Sequence, residues 1–179
     1  MTGPAPFRSL TFGFHPTARG FGWVAFESPL SVYDHGLVTI KEKDKNRPCL
    51  EHVERLLERL KPETLVLESF DTHSAQRSKR IRALCVAVVG MAADQGMALA
   101  VYTRADVREV FASVAARTRD EIAEAVVRHF PELAVRLPKK RQAGDGEDKR
   151  LSLFCAAALV LTHFHFGADL FFEQLKEIA

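Results

Sequence analysis

Four places in this 179-residue chain hold side chains whose chemistry could be combined. Glu68 ends the wholly apolar run Leu65-Val66-Leu67, and Asp71 follows it closely. His15 follows the alternating run Leu10 to Phe14 and precedes Pro16. Asp145, Glu147 and Asp148 form an acidic cluster. Ser152 and Cys155 lie four and seven residues after Asp148, a spacing that puts them on its face of a helix. A carboxylate at the mouth of a buried strand is poorly solvated unless a cation offsets its charge, and Mg²⁺ prefers carboxylate oxygens plus water. Carboxylates converging from different elements could hold two metals beside a phosphate, one activating water and one stabilising the leaving oxygen. Each piece also has a structural reading: a strand-terminal Glu as a surface or capping residue, an acidic cluster as a helix N-cap. His15 reads equally as a hydrogen-bonded residue at a strand end. Cys155, between Phe154 and Ala156, reads more readily as core packing, since a free thiol behaves as a small hydrophobe. His163 and His165 read as a helix terminus and Trp23 as core.

Basic residues gather near these places. Arg19 lies in the turn after His15, and Arg77, Lys79, Arg80 and Arg82 open the helix after Glu68. Arg104 and Arg108 follow the next strand, Arg117 and Arg119 flank another helix start, and Lys139, Lys140 and Arg141 lie in a loop. Helix N-termini and flexible cationic side chains at one edge suit phosphate contacts. Solvated helix faces paired with nearby acids are the plainer reading of any one of them.

The elements that must position these residues follow from the hydrophobic period. Leu10 to Phe14, Phe21 to Phe26 and Val32 to Ile40 read as three strands with short connections, an antiparallel meander. The first should end at His15-Pro16, and Asp34-His35-Gly36 should interrupt the third. Val53, Leu56, Leu57 and Leu60 repeat at helical spacing up to Pro62. A strand from Thr64 to Leu67, a helix from about Gln76 to Asp94, a strand from Met97 to Tyr102 and a helix near Ala105 to Val114 come next. Thr118 with Glu121 forms a capping box for a helix ending near Pro131. The last helix should run from Lys149 to about Phe164. This order predicts an α/β fold, a mixed five-stranded sheet of three antiparallel strands and then parallel strands, with helices on both faces.

Length and composition set the frame. The chain suits one domain over residues 1–179, with 137–147 a mobile loop. A hydrophobic share of 47% against 27% charged is that of a folded globular protein rather than a disordered one. The apolar run from Leu151 to Thr162 falls short of the roughly 20 residues of a membrane span. Three cysteines without CxxC spacing argue against a disulfide framework or zinc knuckle, and for a reducing, cytoplasmic compartment. A net charge of +2 is too mild to identify a nucleic-acid partner, so the placement of the charge has to carry that argument.

Taken together, Gly13-Phe14-His15-Pro16-Thr17 with Gly20-Phe21-Gly22-Trp23, Leu65-Val66-Leu67-Glu68-Ser69-Phe70, and Glu147 to His163 resemble the RuvC-type Holliday-junction resolvases of the RNase H-like superfamily. The resemblance spans about residues 9–166. It implies a dimeric, Mg²⁺- or Mn²⁺-dependent endonuclease acting on branched DNA. It carries over directly to Glu68. The chain departs from the family where the first strand should carry Asp and has His15, and where the final helix should be acidic and has Ser152 and Cys155. Ser and Cys do not replace a carboxylate's charge, and neutral histidine suits Mg²⁺ poorly.

The expectation is therefore a divergent metal-dependent endonuclease of branched or structured DNA. In it Glu68 is the central ligand, Asp148 and Glu147 are supplementary ligands, and His15 is a ligand or phosphate contact. Arg19, Arg77, Lys79, Arg80, Arg119, Lys139, Lys140 and Arg141 would meet DNA. A homodimer and no membrane partner are expected. The alternative is a catalytically inactive RNase H-like domain that binds nucleic acid or a protein. A kinase of the actin-like superfamily ranks far behind, because the chain is short for a second domain closing over ATP and shows no convincing phosphate loop.

Overall fold

The computed structural model describes residues 9–70, 78–140, 142, 144, 146 and 148–178. Strand β1 (Thr11–Thr17) pairs antiparallel with β2 (Gly20–Ser28), and β2 with β3 (Ser31–Thr39). Two parallel strands, β4 (Thr64–Glu68) and β5 (Ala98–Tyr102), complete the order β3-β2-β1-β4-β5. This is the expected mixed five-stranded sheet. β1 does not stop at Pro16. Its ladder with β4 ends at Phe14 opposite Leu67, so beyond that point it pairs with β2 alone, and Pro16, opposite Phe21, interrupts no ladder to β4. β3 is likewise continuous through Asp34-His35-Gly36. A side chain on Gly36 would come within 2.7 Å of the Trp23 Nε1, so glycine there makes room for the indole rather than breaking the strand.

The sheet is covered on both faces, which is why β2 and β4 are apolar along nearly their whole length. On one side lie α1 (Asn46–Leu60) and α2 (Lys79–Asp94). Their Cys49, Val53, Leu57, Leu84 and Val88 pack on Phe12, Phe14, Phe21, Leu65 and Leu67. The other side carries α3 (Arg104–Ala112), α4 (Arg119–His129) and α5 (Leu151–Ile178), which pack on Val24, Phe26 and Val66. Each fully buried large side chain contributes about 1.5–3 kcal/mol, so two such layers make a sufficient core for one sheet. The capping box of Thr118 with Glu121 forms as expected, and α3 carries a second one, Thr103 with Asp106, that the sequence reading passed over. A 3-10 segment, Pro131–Arg136, was not anticipated either.

α5 differs most from expectation. It begins at Leu151 rather than Lys149 and continues past Phe164 to Ile178, there being no proline to end it and Gly167 alone not sufficing. The window Leu151–Ala168 is by length and composition apolar enough to cross a membrane, yet 56% of it is buried in the fold, as in the central helix of a packed domain. His163 is thus inside a helix, not at its end. Its Nδ1 lies 2.9 Å from the Tyr102 hydroxyl and ties the end of β5 to α5.

α5 crosses β1 and β2 at unusually close range. A Cβ on Gly13 would fall 2.6 Å from the Ala156 carbonyl oxygen and 2.7 Å from the Val160 Cγ2, and one on Gly22 would strike the backbone of Ser152 and Leu153. Gly13→Ala should therefore destabilise the fold by about 2 kcal/mol or more through overpacking. Thermal unfolding would read this as a fall of about 2–4 °C per kcal/mol for a chain of this size. Gly90→Ala is the matched control: it lies in α2 with nothing near its Cβ position and should raise stability by roughly 0.5–1 kcal/mol.

Burial holds His163 below the ordinary imidazole value of 6.5, and burial together with Arg136 does the same for His35 on β3. Between each folded value and 6.5 the unfolded chain binds more protons, so stability is fully present above pH 6.5 and declines as pH falls below it. Urea unfolding across that range should show this slope. His163→Gln should reduce it, and an unchanged slope in the variant would remove His163 as a contributor.

Candidate anion-binding site at the strand ends

The parallel registry of β1 and β4 sets Phe14 beside Leu67, so the next pair along, His15 and Glu68, lies side by side on the α5 face. His15 Nε2 is 3.3 Å from Glu68 Oε2, and both side chains are nearly inaccessible. β5 brings Tyr102 alongside Glu68. The chain then turns through the Thr103 cap, and Arg104, the first residue of α3, returns over the strand ends to donate its Nε–H to Glu68 Oε1 at 2.8 Å. The Arg104 side chain is 53% exposed while that of Glu68 is 6% exposed. A buried carboxylate is thus neutralised by a guanidinium that keeps part of its own hydration, which lowers the desolvation cost of the pair.

Above this pair, a cavity of about 320 Å³ opens between α3, α4 and α5. Arg104, Arg108, Arg117 and Arg119 line it, and Glu68 is the one carboxylate among its lining residues. Val107, Ile122, Ala158 and Leu159 are its apolar lining, and Cys155 lies half-buried beside them rather than in the closed core. The four arginines gather there because α3 and α4 both start at this end, each with its first turn fixed by a capping box. A second groove continues from the first past His15, Arg104 and Arg119 to Thr17, Arg19, Asp148, Lys149 and Ser152.

The other expected site residues are distributed unevenly around these two concavities. Arg119 lines both. Arg19 is exposed in the β1–β2 turn, and Lys79, Lys139 and Lys140 are exposed. Lys140 is close enough to Glu121 to help hold that carboxyl below its ordinary value, after the larger effect of the Thr118 and Arg117 backbone N–H groups. Arg80 has a structural task instead. Its guanidinium donates to Asn46 Oδ1 at 2.9 Å and to the Thr17 carbonyl at 2.8 Å, joining α2, the start of α1 and the end of β1. Arg77, Arg141, Glu147, Asp145 and Asp71 lie outside the described residues. So do residues of the 137–147 loop, whose described members belong to no regular strand or α-helix.

A divalent cation of the Mg²⁺ or Mn²⁺ kind would need several oxygen donors converging on one point. Among the described residues no group of three His, Cys, Asp or Glu does so. Glu68 already faces Arg104 and His15. Asp148 faces the second groove and is held by Arg150 at 2.7 Å, an ion pair that keeps its carboxyl below the ordinary value. Ser152 is buried and donates its hydroxyl to the Lys149 carbonyl at 2.6 Å. The described donors therefore form no such group, while Glu147, the third expected ligand, lies outside the described residues. What the sequence reading missed is Arg104 as the partner of Glu68. Only the register shows it: Arg104 stands two residues past Tyr102, the residue of β5 paired with Glu68.

No protein-family model matches the sequence, and no curated protein does. Solved structures do match. Thermus thermophilus RuvC in complex with a Holliday junction substrate superposes with a TM-score of 0.64 at 18% identity, over 89% of this chain and 95% of that one. A second Thermus thermophilus RuvC structure gives 0.60 at 16% identity over the same shares. The yeast mitochondrial Holliday junction resolvase Ydc2 gives 0.53 at 13% identity, over 98% of this chain and 87% of that one. At such identities the likeness is one of fold, and it agrees with the strand order and the helix placement. The chain has the RNase H-like fold in the form found in RuvC.

Proposed function

We propose that this chain is a recognition domain for branched or structured DNA, built on a resolvase fold and binding phosphates with arginines rather than through bound metal. One observation carries the reading: the buried carboxylate at the end of β4 is paired with the protein's own guanidinium, Arg104, inside a cavity lined by four arginines. A site of that charge attracts phosphate directly, and guanidinium groups meet phosphate oxygens in a two-pronged geometry that fixes orientation as well as affinity. Arg19, Lys79, Lys139 and Lys140, exposed around the same end of the molecule, would supply backbone contacts that set register without reading sequence. The fold neighbours support junctions as the DNA form, one of them having been solved with a Holliday junction substrate.

The metal-dependent endonuclease is the second reading. It is favoured by Glu68 itself, which stands where the resemblance places a catalytic carboxylate, and by two neighbouring proteins being named resolvases or RuvC. A homodimer belongs to both readings, and sedimentation would measure it.

Labelled four-way junction, fork and duplex DNA, incubated with the protein in EDTA, Mg²⁺ or Mn²⁺, separate the two. The recognition reading expects junction binding of similar strength in all three and no cutting. Arg19→Ala and Arg119→Ala should each weaken binding and lower the slope of affinity against salt by about one phosphate contact. Cutting that needs metal and disappears in Glu68→Gln would overturn it in favour of the nuclease. Arg104→Ala bears on the same question from the stability side. Leaving the Glu68 carboxylate without its guanidinium should cost about 1–3 kcal/mol, less than for a fully buried pair because Arg104 is half exposed. Glu68→Gln in the Arg104→Ala background should recover part of that loss.

A further inference from the structure

The cavity over Glu68 is lined by two unlike kinds of side chain, and a DNA backbone passing by would use only one of them. Arg108 and Arg117 reach in from α3 and from the turn before α4, beside Arg104 and Arg119. Between and below them lie the apolar side chains of Val107, Ile122, Ala158 and Leu159, the last three buried at the floor of the cavity. Among the described lining residues four guanidiniums stand against one carboxylate, Glu68, so cationic groups outnumber anionic ones there. That excess favours a dianion over the single negative charge of an internal phosphodiester, because each added charge interacts with every cation around it. The apolar side chains have no use for phosphate, but they suit the face of a nucleobase. The cavity, at about 320 Å³, lies within the range of pockets that hold one small ligand.

We infer that this cavity takes a single nucleotide bearing a phosphomonoester, with the phosphate against Arg108, Arg117 and Arg119 and the base or sugar against Val107, Ile122 and Leu159. The shared chemistry has two sources: a free mononucleotide, or the phosphorylated end of a strand. The inference rests on reading this face as one that meets nucleic acid and adds what the cavity itself holds. Arg104 stays with Glu68 and keeps that carboxylate from repelling the ligand, which makes it a positioning residue here.

The test is run on the full chain in EDTA. Deoxynucleoside monophosphates, inorganic phosphate, and single strands with a phosphate at the 5′ end, at the 3′ end or at neither are titrated by calorimetry. In parallel the half-exposed Cys155 is alkylated, Cys49 and Cys85 being buried. A filled cavity should slow Cys155 alkylation several-fold. The expected result is that a terminal phosphate tightens strand binding by about tenfold or more, that monophosphates compete with it, and that both protect Cys155. Arg108→Ala and Arg117→Ala should each weaken phosphate-dependent binding by about tenfold, as for a lost hydrogen bond to a charged group. Arg128→Ala, an exposed arginine outside the cavity, removes the same charge and should change little. Monophosphate binding with no effect of strand phosphorylation would assign the site to free nucleotide. Equal binding of phosphorylated and unphosphorylated strands, with no binding of monophosphates and no protection of Cys155, would overturn the inference while leaving DNA recognition standing. Protection by monophosphate without binding of any DNA would sustain the cavity and remove the DNA reading.

Discussion

The Glu68 carboxylate is 5% exposed at the end of a central parallel strand, where an uncompensated negative charge would cost several kcal/mol. Its neighbours answer that demand. Arg104 donates to one oxygen and His15 approaches the other, so the demand for positive charge is satisfied from within the chain. The consequence spreads outward. Arg104 has to return over the strand ends, which fixes the start of α3, and the Thr103–Asp106 capping box holds that turn in place. With α3 and α4 starting at the same end, the remaining arginines gather above the pair.

A second constraint governs how near chemistry can approach this centre along α5. α5 lies against β1 and β2 at Gly13 and Gly22, where it presents Ser152, Leu153, Ala156 and Val160. Close approach leaves little volume at the helix positions facing the sheet. Ser152 fits by turning its hydroxyl back to the helix's own backbone at Lys149. Cys155, a turn further on, occupies the boundary between the sheet and the arginine-lined cavity. Both are compact and uncharged, which matches a centre whose carboxylate is already neutralised and whose surroundings are cationic.

Much of the fold was legible in the chain. Apolar runs on β2 and β4, helical spacing at Val53, Leu57 and Leu60, and the Thr118–Glu121 box each report a local rule that the tertiary structure obeys. The misreadings share a cause, which is that local signals were read without neighbours. Pro16 looks like a strand end until the absence of β4 beside it is known, and Gly36 looks like a break until Trp23 is placed over it. α5 runs past Phe164 and through Gly167, since a single glycine weakens a helix without ending it. For the site, Glu68 and His15 were visible as strand-end residues. The Arg104–Glu68 pair was not, being a contact between residues 36 apart that only the β4–β5 register brings together.

A guanidinium and a divalent metal ion at such a centre would differ in what the position can do. Both groups offer positive charge to a phosphate, so either gives affinity for the backbone. A divalent ion also lowers the pKa of a bound water and coordinates attacking and leaving oxygens together. A guanidinium does neither: it stays protonated across the physiological range and binds only as a hydrogen-bond donor. A buried glutamate whose counter-charge is Arg104, beneath further arginines, has the electrostatics that phosphate recognition needs. That is why the recognition reading follows from the Glu68–Arg104 pair more than from the fold, which by itself fixes where a site sits and not which chemistry it performs.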